Sequence, residues 1–207
     1  MNTETKNFES ERKILDSGAR REFASGAVRD IQEGKGRCDL LPLEEIGLYL
    51  VDRLPENNNM FLILSRIDRF IHCGDVKNIY SAISHFLEER NWKVITALLE
   101  VSKHYEEGAK KYEERNWEKG IPCHCYVDSA VRHLFKWYDK WEDEPHDRAF
   151  LWNMFCLLWT VGNKPELNDL PYVRETKPTL EDRAISILVE GLEHCKMSNK
   201  EEKENDK

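Results

Sequence analysis

The sequence predicts an all-α fold built as a bundle of helices. Apolar residues recur at helical spacing through most of residues 43–195, whereas no convincing run of β-branched residues alternates as a strand requires. Residues 145–161 are apolar nearly all round, which is typical of a helix at the centre of a bundle. With 207 residues, of which 40% are hydrophobic, the chain is long enough for one good core.

The helices follow one another in a clear order. The first stripe begins after Pro42, and Gly74 is placed to end the second. Thr179 and Asp182 resemble the cap of a last helix. The predicted helices span residues 43–54, 60–73, 76–87, 92–112, 126–141, 145–161 and 179–195.

Both ends of the chain lack this periodicity. Residues 1–24 are mainly polar and predict a disordered or flexible arm, and residues 196–207 predict a disordered, charged tail. Residues 25–195 are therefore expected to form a single domain.

Composition excludes several classes of partner. The net charge of -8 argues against a broad electrostatic contact with nucleic acid. No run approaches the roughly 18 apolar residues that span a membrane, and the first residues are not a secretory signal. We therefore expect a cytoplasmic protein with reduced thiols. Cys123-His124-Cys125 invites a zinc interpretation, but no second Cys/His pair lies at finger-like spacing.

A column of charged residues on the fourth helix is the first candidate site. Glu100, His104, Glu107 and Lys111 share one face at helical spacing. Such a column is usually a solvated face, but carboxylates can also hold a hard divalent cation. The sequence leaves open whether Glu100 and Glu107 are metal ligands or a general base.

The partner acids are expected just before Pro145. Asp143 and Glu144 lie at a helix entrance, where they could complete a cation site. The alternative is that the helix dipole favours acids in a first turn.

Other residues are candidates for binding phosphate or base. A Gly-rich, basic segment containing Arg29, Lys35 and Arg37 is either a flexible linker or a phosphate-contacting arm. Arg132 could meet phosphate or pair with Asp128 four residues earlier, and Asn153 could bind a nucleobase edge or a backbone carbonyl. The remaining candidates are Lys111, Tyr112, Asn116, Trp117, His133 and His146.

Several motifs occur together in a recognisable order. They are Gly26-Ala-Val-Arg-Asp30, Lys35-Gly-Arg-Cys-Asp-Leu-Leu-Pro42, Gly108-Ala-Lys-Lys-Tyr112, Asn116-Trp117-x-x-Gly120, Asp128-x-Ala130-x-Arg132-His133, and His146 followed by Trp152-Asn153. The set resembles the phage and bacterial dATP/dGTP diphosphohydrolase family, which is part of the MazG-like all-α nucleoside triphosphate pyrophosphohydrolases.

The resemblance implies a fold and an activity. The fold would be a MazG-like four-helix-type bundle, with residues 51–97 as a helical insertion and a C-terminal helix. The activity would be cleavage of a purine deoxynucleoside triphosphate to monophosphate and pyrophosphate with Mg2+ or Mn2+. The enzyme would be a homo-oligomer, dimer or tetramer, in a bacterial cytoplasm, that of the host if phage-encoded.

The resemblance also implies roles for residues. Glu100 and Glu107 would be metal ligands, joined by an acid from Asp143 or Glu144. Lys111, Tyr112, Asn116, Trp117, Arg132, His133 and Asn153 would shape the nucleotide pocket. The alternative to an enzyme is a non-catalytic nucleotide-binding or protein-interaction bundle.

Overall fold

The computed structural model describes residues 18–53 and 58–171, and this part of the chain is helical apart from one short hairpin. The all-α prediction is confirmed. The predicted helix 179–195 and tail 196–207 lie outside the described residues. The elements are β1 Arg20–Glu22, β2 Val28–Asp30, α1 Leu43–Arg53, α2 Asn58–Cys73, α3 Lys77–Glu89, α4 Val94–Lys111, α5 Cys123–Tyr138 and α6 His146–Asn163, with 3-10 turns Cys38–Leu40, Asn116–Lys119 and Pro165–Leu167.

The predicted helix boundaries agree with the structure to within three residues. The largest shift is in α5, which begins at Cys123 and ends at Tyr138. The chain leaves α5 at Lys140, whose φ of 58° is incompatible with a continuing helix. No helix in the described part of the chain has the length and apolar character needed to cross a membrane.

Helices α5 and α6 pack along each other and form the centre of the core. On α6, Phe150, Leu151, Met154 and Leu157 are wholly buried, as the apolar character of this segment predicts. Each such side chain contributes about 1.5–3 kcal/mol by leaving water. The paired helices therefore form a rigid support for the polar side chains that they also carry.

The segment predicted as an insertion shares this core. Phe86 of α3 packs its ring against Phe150 at 4.4 Å and against Trp137 at 5.0 Å between centroids. On α2, Ile67 and Phe70 are wholly buried. Residues 58–89 are thus an integral layer of the bundle.

The buried face of α4 includes one member of the charged column. Ala97, Val101 and His104 are buried, whereas Leu99 is 62% exposed. The column of Glu100, His104, Glu107 and Lys111 therefore points inward at His104. The periodicity was ambiguous because apolar residues occur on both sides of this helix.

A two-stranded antiparallel hairpin replaces part of the predicted flexible arm. Strand β1 pairs with β2 in a register that places Arg21 opposite Arg29. The turn requires Gly26, whose φ is +78°, a conformation that side chains with a Cβ rarely adopt. Three-residue strands are too short to give a periodic pattern, so the sequence did not reveal the strand at residues 20–22.

Candidate functional site

A cavity of about 970 Å³ opens between β2, the segment after it, and the helices α4, α5 and α6. Its volume is at the upper end of the range for ligand pockets in proteins. Aromatic rings form part of the wall, and basic side chains are numerous although the whole chain is acidic. The basic residues that line it are Arg21, Arg29, Lys35, Lys111, Arg115, Arg132 and Lys136, and the aromatic residues are Tyr105, Tyr112, Trp117, Trp141 and Trp152.

Asp128 fastens one wall of the cavity to α5. Its carboxylate accepts hydrogen bonds from the backbone N–H of Cys38 at 2.7 Å and from Nε2 of Gln32 at 2.8 Å. It also pairs with Arg132, which donates to the carbonyls of Lys35 and Gly36 at 3.1 Å. Of the two partners that the sequence allowed for Arg132, the structure shows Asp128.

Lys35 projects a cation into the cavity from this fastened segment. Among residues 18–53 and 58–171, no carboxylate forms an ion pair with its ammonium. Burial lowers the pKa of Lys35, and the nearby charge of Asp30 partly offsets that shift. Arg37, predicted to accompany Lys35, instead pairs with Asp39 at 2.7 Å and does not line the cavity.

Asp30 holds two of the predicted substrate-binding residues. Lys111 donates to one carboxylate oxygen at 2.8 Å, and the hydroxyl of Tyr112 donates to the other at 3.0 Å. Burial alone would raise the pKa of Asp30, but these hydrogen bonds and the charge of Lys111 bring it below its ordinary value. Lys111 therefore has a structural partner as well as a place in the cavity wall.

Asn116 secures the hairpin to the turn after α4. Its Oδ1 accepts the N–H of Val28 at 2.9 Å, and its Nδ2 donates to the carbonyl of Val28, also at 2.9 Å. The next residue, Trp117, packs edge-on against Tyr105 and Trp159. These contacts give Asn116 and Trp117 structural roles that the sequence did not reveal.

Arg29 extends from the hairpin to α5 and α6. Its guanidinium donates to the carbonyl of Cys125, to Oγ of Ser129 at 3.1 Å and to Oδ1 of Asn153 at 3.0 Å. The amide of Asn153 donates in turn to the carbonyl of Ala149 at 2.8 Å. Both ends of the Asn153 amide therefore have protein partners, although the residue also lines the cavity.

Two histidines and a carboxylate converge where α5 and α6 meet. Nδ1 of His133 lies 3.0 Å from Nδ1 of His146, and Oε1 of Glu144 lies 3.4 Å from the first and 3.8 Å from the second. These three residues form the one group of this kind among the described residues that could hold a metal ion. Burial, reinforced by the charge of His146, lowers the pKa of His133 well below its ordinary value.

Asp143 lies behind this cluster. Its Oδ1 is 2.7 Å from Nε2 of His146, and its Oδ2 accepts a hydrogen bond from Lys136 at 2.7 Å. Burial raises the pKa of Asp143, but hydrogen bonds from Lys136 and His146 bring it below the ordinary value. Asp143 thus contacts the cluster through Nε2 of His146, the ring nitrogen that does not face His133.

The other two predicted ligands lie elsewhere on α4. Glu100 pairs with Lys103, and Glu107 lies 3.4 Å from the guanidinium of Arg148. Glu100 does share a smaller cleft of about 100 Å³ with Glu144. The structure therefore groups Glu144 with two histidines, while metal binding by Glu100 and Glu107 stays a prediction.

His104, a member of the predicted column to which the sequence assigned no role, lines the cavity. It is 8% exposed, its ring lies 5.5 Å from that of Trp152, and burial lowers its pKa to about 3. Its Nδ1 has no hydrogen-bond partner among the described residues. Its place in the column with Glu100 was visible in the sequence, but the inward direction of that column was not.

His124 links two parts of the chain near the start of α5. Its Nδ1 pairs with the carboxylate of Asp169, and its Nε2 lies 3.2 Å from Sγ of Cys125. Cys123, His124 and Cys125 are not part of the metal-capable group found in the described residues.

The fold and the site together define a helical-bundle protein with a cavity of basic and aromatic residues beside a histidine–carboxylate cluster. Residues 84–170 match the family described as dATP/dGTP diphosphohydrolase, N-terminal. The matched segment covers α4, α5 and α6, and its description agrees with the family that the sequence motifs resemble. The family description names a diphosphohydrolase and implies a nucleotide substrate. No curated protein and no solved structure matched the chain.

Proposed function

We propose that this protein hydrolyses a deoxynucleoside triphosphate, dATP or dGTP, to the monophosphate and pyrophosphate. The observation that carries the proposal is the cavity, which offers the ammonium of Lys35 for phosphate, and aromatic rings for a base, within one space. A ring stacked on a base contributes about 1–3 kcal/mol and tolerates either purine. The family match over the same helices supports this substrate class.

A divalent cation, Mg2+ or Mn2+, is part of this proposal. Glu144 lines the cavity, and the imidazoles of His133 and His146 lie beside it, so these residues would hold the ion. Because Mg2+ demands oxygen ligands, Mn2+ would be the better occupant of the two. When bound, such an ion lowers the pKa of a water and neutralises charge on the phosphates.

The residues of the chain have separate tasks in this reaction. Lys35 compensates the charge that grows on the leaving pyrophosphate when the bond between its oxygen and the α-phosphorus breaks. Arg132 holds the backbone that carries Lys35, through the carbonyls of residues 35 and 36. A carboxylate accepts the proton of the attacking water, and Glu100 and Glu107 are the proposed candidates.

The direct test is a panel of purified substrates. The protein should convert dATP or dGTP to monophosphate and pyrophosphate in equal amounts when Mg2+ or Mn2+ is supplied. Nucleotide products can be followed by ion-exchange chromatography and pyrophosphate by a coupled assay. The enzyme proposal fails if neither ion supports release of pyrophosphate from any nucleotide.

A non-catalytic nucleotide-binding bundle is the second candidate. The ion pairs that Glu100 and Glu107 make with Lys103 and Arg148 favour it, because they occupy two of the predicted acids. Glu144→Gln separates the two functions. An enzyme loses turnover while still binding nucleotide, whereas a binding protein has no turnover in either form.

We also propose that the chain forms a homo-oligomer. An exposed apolar stripe on the first half of α4 supports this, since Val94, Ile95, Leu98 and Leu99 are 47–69% exposed. Contiguous apolar surface of this kind often marks a protein contact. Light scattering of the wild type and of Ile95→Glu with Leu99→Glu tests it. The doubly substituted chain should be a monomer, and equal masses would refute the proposal.

A further inference from the structure

The distances within the histidine–carboxylate cluster indicate which kind of metal ion it binds. Transition ions bind imidazole nitrogen and carboxylate oxygen at about 2.0–2.2 Å. Two such ligands are then about 2.8–3.6 Å apart at angles between 90° and 109°. The separations of 3.0 and 3.4 Å lie in this range, and the 3.8 Å separation needs to close by a few tenths of an ångström.

The ring of His146 is oriented as a metal ligand would be. Its Nε2 lies 2.7 Å from Oδ1 of Asp143, and its Nδ1 faces Nδ1 of His133. With the ring proton on Nε2, that N–H donates to Asp143 and Nδ1 carries the lone pair that a metal ion needs. Asp143 is itself held by Lys136 at 2.7 Å. Metal-ligating histidines commonly donate their other ring N–H to a carboxylate, which fixes the tautomer and the orientation.

The position of the cluster also favours a bound ion over a purely structural contact. His146 is 2% exposed, and Glu144 is 9% exposed. Glu144 nevertheless lines both the large cavity and the smaller cleft. An ion held by these residues would therefore be enclosed on the protein side and accessible from the cavity.

We propose that His133, Glu144 and His146 form a site for a first-row transition ion such as Mn2+, Co2+ or Zn2+, and that Mg2+ is a poor occupant. Mg2+ prefers an octahedral shell of oxygen and keeps several waters. Imidazole nitrogen suits transition ions, whose affinity for such a site exceeds that of Mg2+. Asp143 acts as a positioning residue through His146. The role of this ion in hydrolysis rests on the proposed function, whereas its binding does not.

The experiment measures binding without nucleotide. The full chain, freed of metal by a chelator, is titrated with Co2+ while its visible absorption is recorded. The wild type should bind one Co2+ per chain at this site, with absorption bands shifted from those of the aqueous ion. A large excess of Mg2+ should leave these bands unchanged, and Zn2+ should abolish them by displacement.

Four variants assign the site to residues. His133→Asn and Glu144→Gln should each weaken Co2+ binding at least about tenfold, because each removes a ligand. Asp143→Asn should weaken it about 10–100-fold with the bands retained, as expected for an outer partner of a ligand. His72→Asn is the matched control, since His72 lies on α2 with Asp68 as its partner. Circular dichroism verifies that every variant is folded.

The results separate this inference from the proposed function. Co2+ bands in a protein that hydrolyses no nucleotide would support the metal site and refute the enzyme. Pyrophosphate release combined with unchanged Co2+ affinity in folded His133→Asn and Glu144→Gln would support the enzyme and refute the metal site. Absence of Co2+ binding, or displacement of Co2+ by equimolar Mg2+, would overturn the inference.

Discussion

The carboxylate of Asp128 accepts the backbone N–H of Cys38 at 2.7 Å, a contact between residues 90 positions apart in the sequence. Together with Gln32 and Arg132, this contact holds the segment that carries Lys35 against α5. Asp128 is 2% exposed, so its carboxylate, rather than water, accepts the hydrogen bonds of these donors.

Asp128→Asn should therefore destabilise the fold. The amide keeps one acceptor but places an N–H group against donors, which leaves buried donors unpaired at a cost of about 1–3 kcal/mol. Urea denaturation measures this loss. Asp75→Asn is the control, because exposed Asp75 accepts the backbone N–H of Lys77 at 3.0 Å and the amide oxygen of asparagine can accept the same hydrogen bond. Equal stability of the wild type and Asp128→Asn would contradict the role given to this carboxylate.

Lys35→Met and Lys111→Met should separate substrate binding from stability. Lys35 has no ion-pair partner in the described chain, so its loss should raise KM for the nucleotide with little change in Tm. Lys111 is 8% exposed and pairs with Asp30 at 2.8 Å. Its loss leaves the partly buried carboxylate of Asp30 without its cation, which should cost less than the roughly 3–5 kcal/mol of a fully buried pair. Thermal melting with steady-state kinetics checks both variants, and a stable Lys111→Met would contradict the assignment.

Local sequence patterns were sufficient for the helices but not for the contacts between distant segments. The periodicity of residues 145–161 predicts the buried α6 because every turn of that helix is apolar. Asn116 shows the limit. Its polarity suggested a ligand, yet its partner is the backbone of Val28, 88 residues earlier, and backbone groups leave no signature in the sequence.

In the candidate site, too, the residues could be predicted from the sequence but the contacts between helices could not. Glu144, His133 and His146 were each identified from residue type and motif, but their grouping depends on how α5 and α6 pack. Glu100 and His104 lie one helical turn apart, and only the packing of α4 decides which of them is buried. Spacing within one helix predicts shared faces, whereas the direction of a face is a property of the assembled core.

The interaction of His124 with Asp169 and Cys125 should make stability depend on pH. The hydrogen bond to Cys125 raises the pKa of His124 most, burial opposes it, and Asp169 adds to the rise, which brings the pKa to about 9. In the unfolded chain the pKa of a histidine is about 6.5. The stabilisation linked to the raised pKa of His124 is therefore complete below pH 6.5 and is lost as pH rises through 9. Asp169 is 42% exposed, so solvent screens its part.

Thermal melting of the wild type and of His124→Asn between pH 6 and pH 10 tests this dependence. The wild type should lose more stability than the variant between pH 7 and pH 9.5, since the other titratable groups are common to both. Asp169→Asn should show an intermediate slope. Parallel curves for all three proteins would show that His124 does not titrate as its surroundings indicate.

Gly108→Ala tests whether ligand occupies the cavity beside α4. Gly108 lies within the helix, and a Cβ built there meets no atom within 4 Å. Alanine should stabilise the helix by about 0.5–1 kcal/mol. Its methyl group would project into the space that the cavity offers to a nucleotide, as Gly108 is part of the lining.

The matched control for this substitution is Gly162→Ala on α6. Gly162 also has open space at the Cβ position, but it does not line the cavity. Both variants should gain stability in urea denaturation. Gly108→Ala, and more strongly Gly108→Leu, should also raise KM for the nucleotide, whereas Gly162→Ala should leave it unchanged. Unchanged KM in Gly108→Leu would show that the nucleotide binds away from α4, because a leucine there cannot avoid the cavity.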